Sequence, residues 1–437
     1  MSRLLRDSAW TLVAEAVTAV ATLAGGILVA RATGAEGKGV FTLATGFAAI
    51  GAGVIGFRWE RPTGYFLARN RKDLPAIVAS VFVMAAVATL GGVALWIGCP
   101  ALVSGTVLRG IDHRSITVAT GLIGTHFLFV SIPALYGGLR EFRLRSMFLS
   151  AAALPLLVPP AFLYAMGERD VAVYLRAYLV TCGAVYGAWL VAFTTTHAGW
   201  PRVDVRLWKR MIRYGSLSYA SLVMDFVTVR LDLFLLNYLI SSTEVGIYSV
   251  AVGIATRIAS IPNILSHVVF HRVSANEIGN GETTRRILNL TTIVMVVAGL
   301  AVAAAGSLVI VPFYGAEFAR SVGLLFVMIP ASIVWGLFRL LASDVEGRGR
   351  PGLVSACSFI GSAGIVVLDL LWIPRYGAMG AAWASLVAYG AAFVCCTVAF
   401  ARVTGLRPYG ACATTGDDVA TLAATVGRIA RVPVRRA

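Results

Sequence analysis

The charged side chains Glu15, Asp225, Arg230, Asp232 and Arg257 fall inside otherwise apolar stretches of the chain. The densest group lies in MDFVTVRLDLFLLNYLI, residues 224–240. On a helix, Asp225 and Asp232 are seven apart and return to one face within about 20°. Arg230 lies about 140° from the first and about 160° from the second, so neither is its i,i+4 partner. The arginine therefore needs an acid, or an anionic ligand, from another helix. Its planar fork suits phosphate, because it donates two parallel hydrogen bonds and stays charged when desolvated. Carboxylates at such depth suit coupling to protons or sodium, with Asp225 and Glu15 the candidates. Arg230, Asp232 and Arg257 are the candidate ligand-contacting residues. The plainer alternative for all five is a set of interhelical salt bridges with a purely structural role.

The elements that position these residues are membrane spans. Hydrophobic residues make up 58% of the 437-residue chain and charged residues only 13%, about half the usual ~25% of a globular protein. Apolar blocks of about 20 residues, each long enough to cross a bilayer, predict twelve spans. These lie near 8–33, 38–58, 75–98, 116–138, 146–166, 171–193, 214–240, 245–270, 287–312, 320–342, 353–373 and 377–401. The first block is too long for a signal peptide and leads directly into the second, so it reads as a retained helix. The net charge of +16 is unevenly spread. With both termini in the cytoplasm, 26 of the 37 Lys and Arg residues fall on the inner side and 8 on the outer. That bias is the positive-inside pattern, so the basic charge reports topology and gives no argument for nucleic-acid binding. The expected location is the plasma (inner) membrane.

The halves of the chain are related weakly. At a shift of 207 residues LVARATGAEGKGVFTLATG (28–46) lies on LLNYLISSTEVGIYSVAVG (235–253), matching Gly39 with Gly246 and Phe41 with Tyr248. Six spans in each half would make parallel repeats around a central cavity. The expected organisation is an N-terminal lobe (1–200), a cytoplasmic connecting loop (201–213), a C-terminal lobe (214–401) and a basic cytoplasmic tail (402–437) resting on the anionic inner leaflet. Pro133, Pro155, Pro262 and Pro330 fall inside predicted spans and are candidate kinks. The six cysteines show no CxxC spacing and read as small apolar side chains. No metal or organic cofactor is expected. Outer loops are short, GAEGKGV (34–40) lacks P-loop spacing, and neither HExxH nor GxSxG occurs. A membrane-embedded polysaccharide polymerase or ligase is thereby disfavoured.

The run RLDLFLLNYLISSTEVGIYSVAVGI (230–254), the stretch WIPRYGAMGAAWAS (372–385) and the opening ILVARATGAEGKGVFTLA (27–44) resemble the corresponding parts of oligosaccharide flippases. These belong to the multidrug/oligosaccharidyl-lipid/polysaccharide (MOP) flippase superfamily, and the likeness spans nearly all of the chain before the tail. The resemblance implies an all-α, MATE-like protein of two six-helix lobes working by alternating access. Its implied cargo is a polyprenyl-pyrophosphate-linked oligosaccharide, moved from the inner to the outer leaflet for surface-polysaccharide or lipopolysaccharide biosynthesis. Implied partners are that lipid-linked oligosaccharide, membrane lipids and polysaccharide-assembly proteins. Only Arg230 and Asp232 are carried over as cargo residues. Two departures stand out: His271 follows Phe270 where the family commonly has proline, and the arginine group and fourteen spans of the lipid II branch are lacking. The nearest rival implied by the same superfamily is a cation-coupled multidrug exporter.

Overall fold

The computed structural model describes residues 2–198, 202–216, 219–274 and 281–406, and among these there is no strand. The helices are α1 (Ser2–Ile55), α2 (Glu60–Arg69), α3 (Leu74–Gly98), the one-turn α4 (Pro100–Leu102), α5 (His113–Gly138), α6 (Phe142–Ala151), α7 (Leu154–Ala165) and α8 (Val171–Phe193). They continue with α9 (Val205–Ser216), α10 (Tyr219–Leu239), α11 (Ser242–Ala255), α12 (Ser260–Ser274), α13 (Glu282–Tyr314), α14 (Ala319–Gly347), α15 (Pro351–Tyr376) and α16 (Ala378–Thr404). Nine helical stretches among the described residues are long and apolar enough to cross a membrane, and α11 is a shorter apolar helix. This is an all-α, multi-pass membrane protein.

Helices run through the expected spans with informative differences, and α10, over the seventh, is not among those nine stretches. The first two are one element, α1, kinked at Gly34 with φ 72°. Only glycine adopts that angle without strain. The kink frees the Ala35 N–H, which donates to Glu317 Oε2 at 2.9 Å. The fifth span is two helices, α6 and α7, parted at Ala152 and Ala153; Pro155 sits in the first turn of α7, where its missing N–H costs nothing. The eighth is α11 and α12, parted by a turn at 256–259, with Pro262 near the start of α12. Pro133 and Pro330 lie inside continuous helices. The connection expected as a loop over 201–213 instead holds the amphipathic helix α9. Its Leu207, Met211 and Gly215 are buried at four-residue spacing while Arg206, Lys209, Arg210 and Arg213 are exposed. Most of the tail, residues 407–437, lies outside the described residues.

By its contacts the chain divides into two units, residues Met1–Val250 with Ile310–Ser321, and Ala251–Val309 with Val322–Ala437. In the first unit, lipid-facing positions such as Leu90 and Ile97 are 67% and 73% exposed, whereas Ser80, Ser115, Thr120 and Ser131 are buried. That inverts the soluble-protein pattern, as a hydrocarbon solvent requires. The indole of Trp59 is buried and donates to Ser80 Oγ at 2.9 Å, tying the turn between α1 and α2 to α3. Arg31 donates to the carbonyls of Pro312 and Phe313, the latter at 2.7 Å, supplying partners that the end of α13 would otherwise lack. Glu244 pairs with Arg320, and Ser321 Oγ donates to the Ile247 carbonyl at 2.7 Å.

In the second unit α15 and α16 pack closely, with Gly361 against Ala392. Ile365, Ala388 and Tyr389 form a buried cluster with Ala331, and Trp335 lies 4.9 Å from Tyr389 between ring centroids. The fully buried Asp344 accepts from Thr284 Oγ1 on α13 at 2.6 Å and pairs with Arg348 in the turn just past the end of α14. The Cys357 and Cys395 thiols face each other at 3.2 Å.

Within the first unit, residues 207 apart meet each other. A Cβ added at Gly39 would overlap the Ser242 carbonyl, and one added at Gly246 would overlap the Ala35 carbonyl. Thr42 Oγ1 donates to Ser249 Oγ at 3.3 Å, again a separation of 207. The exchange is reciprocal, which is the contact that a local two-fold axis between equivalent segments produces. Because backbone meets backbone, Gly39→Ala and Gly246→Ala should each destabilise the protein by about 1–3 kcal/mol through overpacking. A lowered thermal unfolding temperature in detergent is the expected reading; wild-type melting of both variants would mean the helices do not touch there.

Candidate functional site

The candidate site is assembled within the first unit from α1, α5, α7, α8, α10 and α11. Asp232 on α10 is buried, and its carboxylate is held at both oxygens. Oδ2 accepts from the phenol of Tyr248 on α11 at 2.6 Å, and Oδ1 accepts from the Leu233 N–H at 2.8 Å. A buried carboxylate is tolerated only with such partners. Two residues earlier Arg230 is exposed. Among the described residues no carboxylate stands within ion-pair distance of it, and its charge acts on Asp232 and on His126 of α5. The structure thus buries Asp232 against Tyr248 and leaves Arg230 exposed, with no carboxylate against it among the described residues.

His126 lines a small cavity of about 80 Å³, together with Thr18, Thr45, Thr125, Tyr178 and Tyr186. Threonine hydroxyls in this wall bond back to their own helices: Thr18 to Ala14 at 2.8 Å, Thr45 to Phe41 at 2.9 Å and Thr125 to Leu122 at 2.9 Å. Tyr178, Cys182 and Tyr186 succeed one another at four-residue spacing along α8 and all three line the cavity. Phe129 packs on His126 and Tyr186 at 5.6 and 6.0 Å between centroids. The cavity is too small for an oligosaccharide; it has the size and polar lining for water or a small ion. His126 was not among the residues singled out in the sequence. The signal that could have found it is a histidine inside a 26-residue apolar helix, the kind of polar group that marks an internal cavity in a membrane protein.

The other candidates do not line this cavity among the described residues. Glu15 is exposed on α1, three residues before Thr18 and so one turn from the cavity wall. Arg257 is exposed in the turn between α11 and α12, in the second unit. Asp225 belongs to α10, and its side chain lies outside the described residues. Among the described residues no His, Cys, Asp and Glu gather as a metal site. Removing the phenol in Tyr248→Phe strips the hydrogen bond from Asp232 Oδ2, and is expected to cost about 1–3 kcal/mol. Thermal unfolding checks this, and Asp232→Asn in the same background should recover part of the loss.

Residues 177–323, a segment that includes α10 and α11, match the profile of a family described as polysaccharide biosynthesis protein. The chain is 21% identical over 398 residues to a candidate O-antigen transporter of Shigella flexneri, covering 87% of this chain and 93% of that protein. Among solved structures it is similar to the lipid II flippase MurJ in an inward closed conformation. That match has a TM-score of 0.74 at 12% identity, covering 97% of this chain and 93% of that one. It is also similar to an inward-facing MATE-family multidrug resistance transporter of the MOP superfamily, with a TM-score of 0.63 at 16% identity over 89% and 95% of the two chains. The chain is therefore a multi-pass membrane protein with the fold of MOP-superfamily transporters, and its central segment is similar to polysaccharide biosynthesis proteins.

Proposed function

We propose that this protein is a flippase that carries a polyprenyl-pyrophosphate-linked oligosaccharide from the inner to the outer leaflet for cell-surface polysaccharide assembly. The observation that carries the reading is the coincidence of two things in one segment. The polysaccharide-biosynthesis match covers α10, and α10 presents an exposed arginine with no carboxylate against it among the described residues. A guanidinium with no carboxylate against it among the described residues favours an anionic cargo, and a pyrophosphate offers the oxygens that a planar fork binds in pairs. Asp232, held by Tyr248, keeps α10 in register with α11 and so presents Arg230. Both termini are assigned to the cytoplasm by the distribution of basic residues. The reading implies transport without catalysis, and needs lipid-linked oligosaccharide and bilayer lipid as partners; assembly proteins would receive the cargo outside.

The test is the sidedness of lipid-linked oligosaccharides in cells depleted of this protein and of any other flippase of the class. Accumulation on the inner leaflet, relieved by wild type but not by Arg230→Ala at equal protein level, is expected. If the sugars still reach the outer leaflet, the flippase reading is lost and the cation-coupled drug exporter takes its place. If Arg230→Ala removes the protein from the membrane and loss of an acid restores it, the arginine is a structural ion-pair member.

Energy is assigned to a proton or sodium ion, with Asp225 and Glu15 as coupling carboxylates and the His126 cavity, one turn from Glu15, as a hydrated space. Asp225→Asn should then change the pH or sodium dependence of transport; an unaltered dependence removes Asp225 from this role.

A further inference from the structure

Apart from the α10 site, one cavity of about 480 Å³ lies at the end of the bundle where α2 meets α9. Its walls combine guanidinium groups with aromatic faces in an ordered way. Tyr65 of α2 stacks on Tyr214 of α9 with ring centroids 4.6 Å apart and planes 23° from parallel. The Arg69 guanidinium lies over the Tyr65 ring at 4.5 Å, and that of Arg210 over Phe66 at 5.6 Å. Arg213 completes the basic wall. Stacking on a ring fixes the plane of a guanidinium and leaves its N–H edges free to donate.

The charge in the cavity is one-sided: three arginines line it against one carboxylate, Asp73. That carboxylate is occupied, accepting from Asn70 Nδ2 at 3.1 Å. Among the described residues none of the three arginines forms an ion pair. A purely topological cluster of basic residues would leave each side chain to solvent, without aromatic faces to orient it. The setting also fixes the depth of the cavity. α9 is amphipathic, with Leu207 and Met211 buried and Ile212 exposed on its flank, and the Trp208 indole donates to the Ala76 carbonyl at 3.1 Å. The exposed face of α9 carries Arg206, Lys209, Arg210 and Arg213, the basic character that the positive-inside pattern puts at the inner headgroup level.

We infer that this arginine–aromatic cavity binds the phosphoryl headgroup of a membrane lipid at the inner face. Oriented forks, excess positive charge and headgroup depth match a phosphomonoester or phosphodiester of a bilayer lipid as well as the pyrophosphate of a polyprenyl carrier. Only the second source rests on the flippase reading; failure of that reading leaves the first intact.

The test uses the full-length protein in phosphatidylcholine nanodiscs, with phosphatidylglycerol and undecaprenyl pyrophosphate as the two probes. Lipid retained on the protein is read by native mass spectrometry. The variant Arg69→Gln/Arg210→Gln/Arg213→Gln is expected to retain about tenfold less of the bound probe. The control Arg202→Gln/Arg206→Gln/Lys209→Gln removes three charges outside the cavity and should change retention by less than about twofold. Displacement of phosphatidylglycerol by undecaprenyl pyrophosphate assigns the cavity to the carrier lipid, and the reverse preference assigns it to a resident phospholipid. Equal loss in the two variants would show that bulk surface charge holds the lipid, and would overturn the inference. Should the glutamine variant fail to fold, the Arg→Lys triple variant keeps the charge but loses the stacked fork. Retention then should fall about threefold, and undiminished retention overturns the inference equally.

Discussion

A polar group at bilayer depth has only the protein to bond with, and nearly every local choice in this chain follows from that shortage of partners. Threonines along α1 turn their hydroxyls back onto the preceding helical turn, as Thr22 does to the Thr18 carbonyl at 2.6 Å and Thr33 to that of Val29 at 2.8 Å. Where the backbone must break at Gly34, the freed N–H of Ala35 is met by Glu317. Where α13 ends, its last carbonyls are met by Arg31. The constraint is less about stability in the abstract than about where irregular backbone can be tolerated. It is tolerated where a charged side chain from a distant part of the sequence arrives to satisfy it.

The same shortage sorts the ionisable residues into two kinds. Asp232 and Asp344 are buried and fully engaged, the first by Tyr248 and a backbone N–H, the second by Thr284 and Arg348. Each ties one helix to another, as an internal fastening would. Arg230 is of the other kind, exposed, with no carboxylate against it among the described residues, and electrostatically close to His126. A residue of the first kind holds the scaffold in place. One of the second kind is left with its hydrogen-bond donors unclaimed by a carboxylate among the described residues.

The apolar blocks made the course of the chain legible, because a span needs only length and greasiness to be recognised. The breaks within spans were less so. In the sequence Pro155 and Pro262 have the look of kinks inside helices, yet they stand near the starts of new helices, a distinction that depends on neighbouring packing. The α9 segment lies between two apolar blocks and so has the look of a loop; the four-residue spacing of Leu207, Met211 and Gly215 is the signal that it is a helix. The 207-residue shift was weakly visible as a few identities, and the reciprocal contact of Gly39 and Gly246 gives those identities a physical reason. In the site, helix geometry turns Arg230 away from Asp232, and the structure has the first exposed and the second buried. Helix geometry had no means of naming Tyr248 or His126 as neighbours, since those meetings are made by the tertiary fold alone.

The meeting of Gly39 and Gly246 has a consequence for motion. Side chains that interlock lose rotamer freedom when they come together and regain it when they part, so each closure carries an entropic cost that varies with what is interlocked. Two bare backbones have no rotamers to freeze. A joint of that kind can separate and re-form with little change in side-chain entropy, leaving its balance to the few polar contacts around it, Thr42 with Ser249 and Glu244 with Arg320 among them.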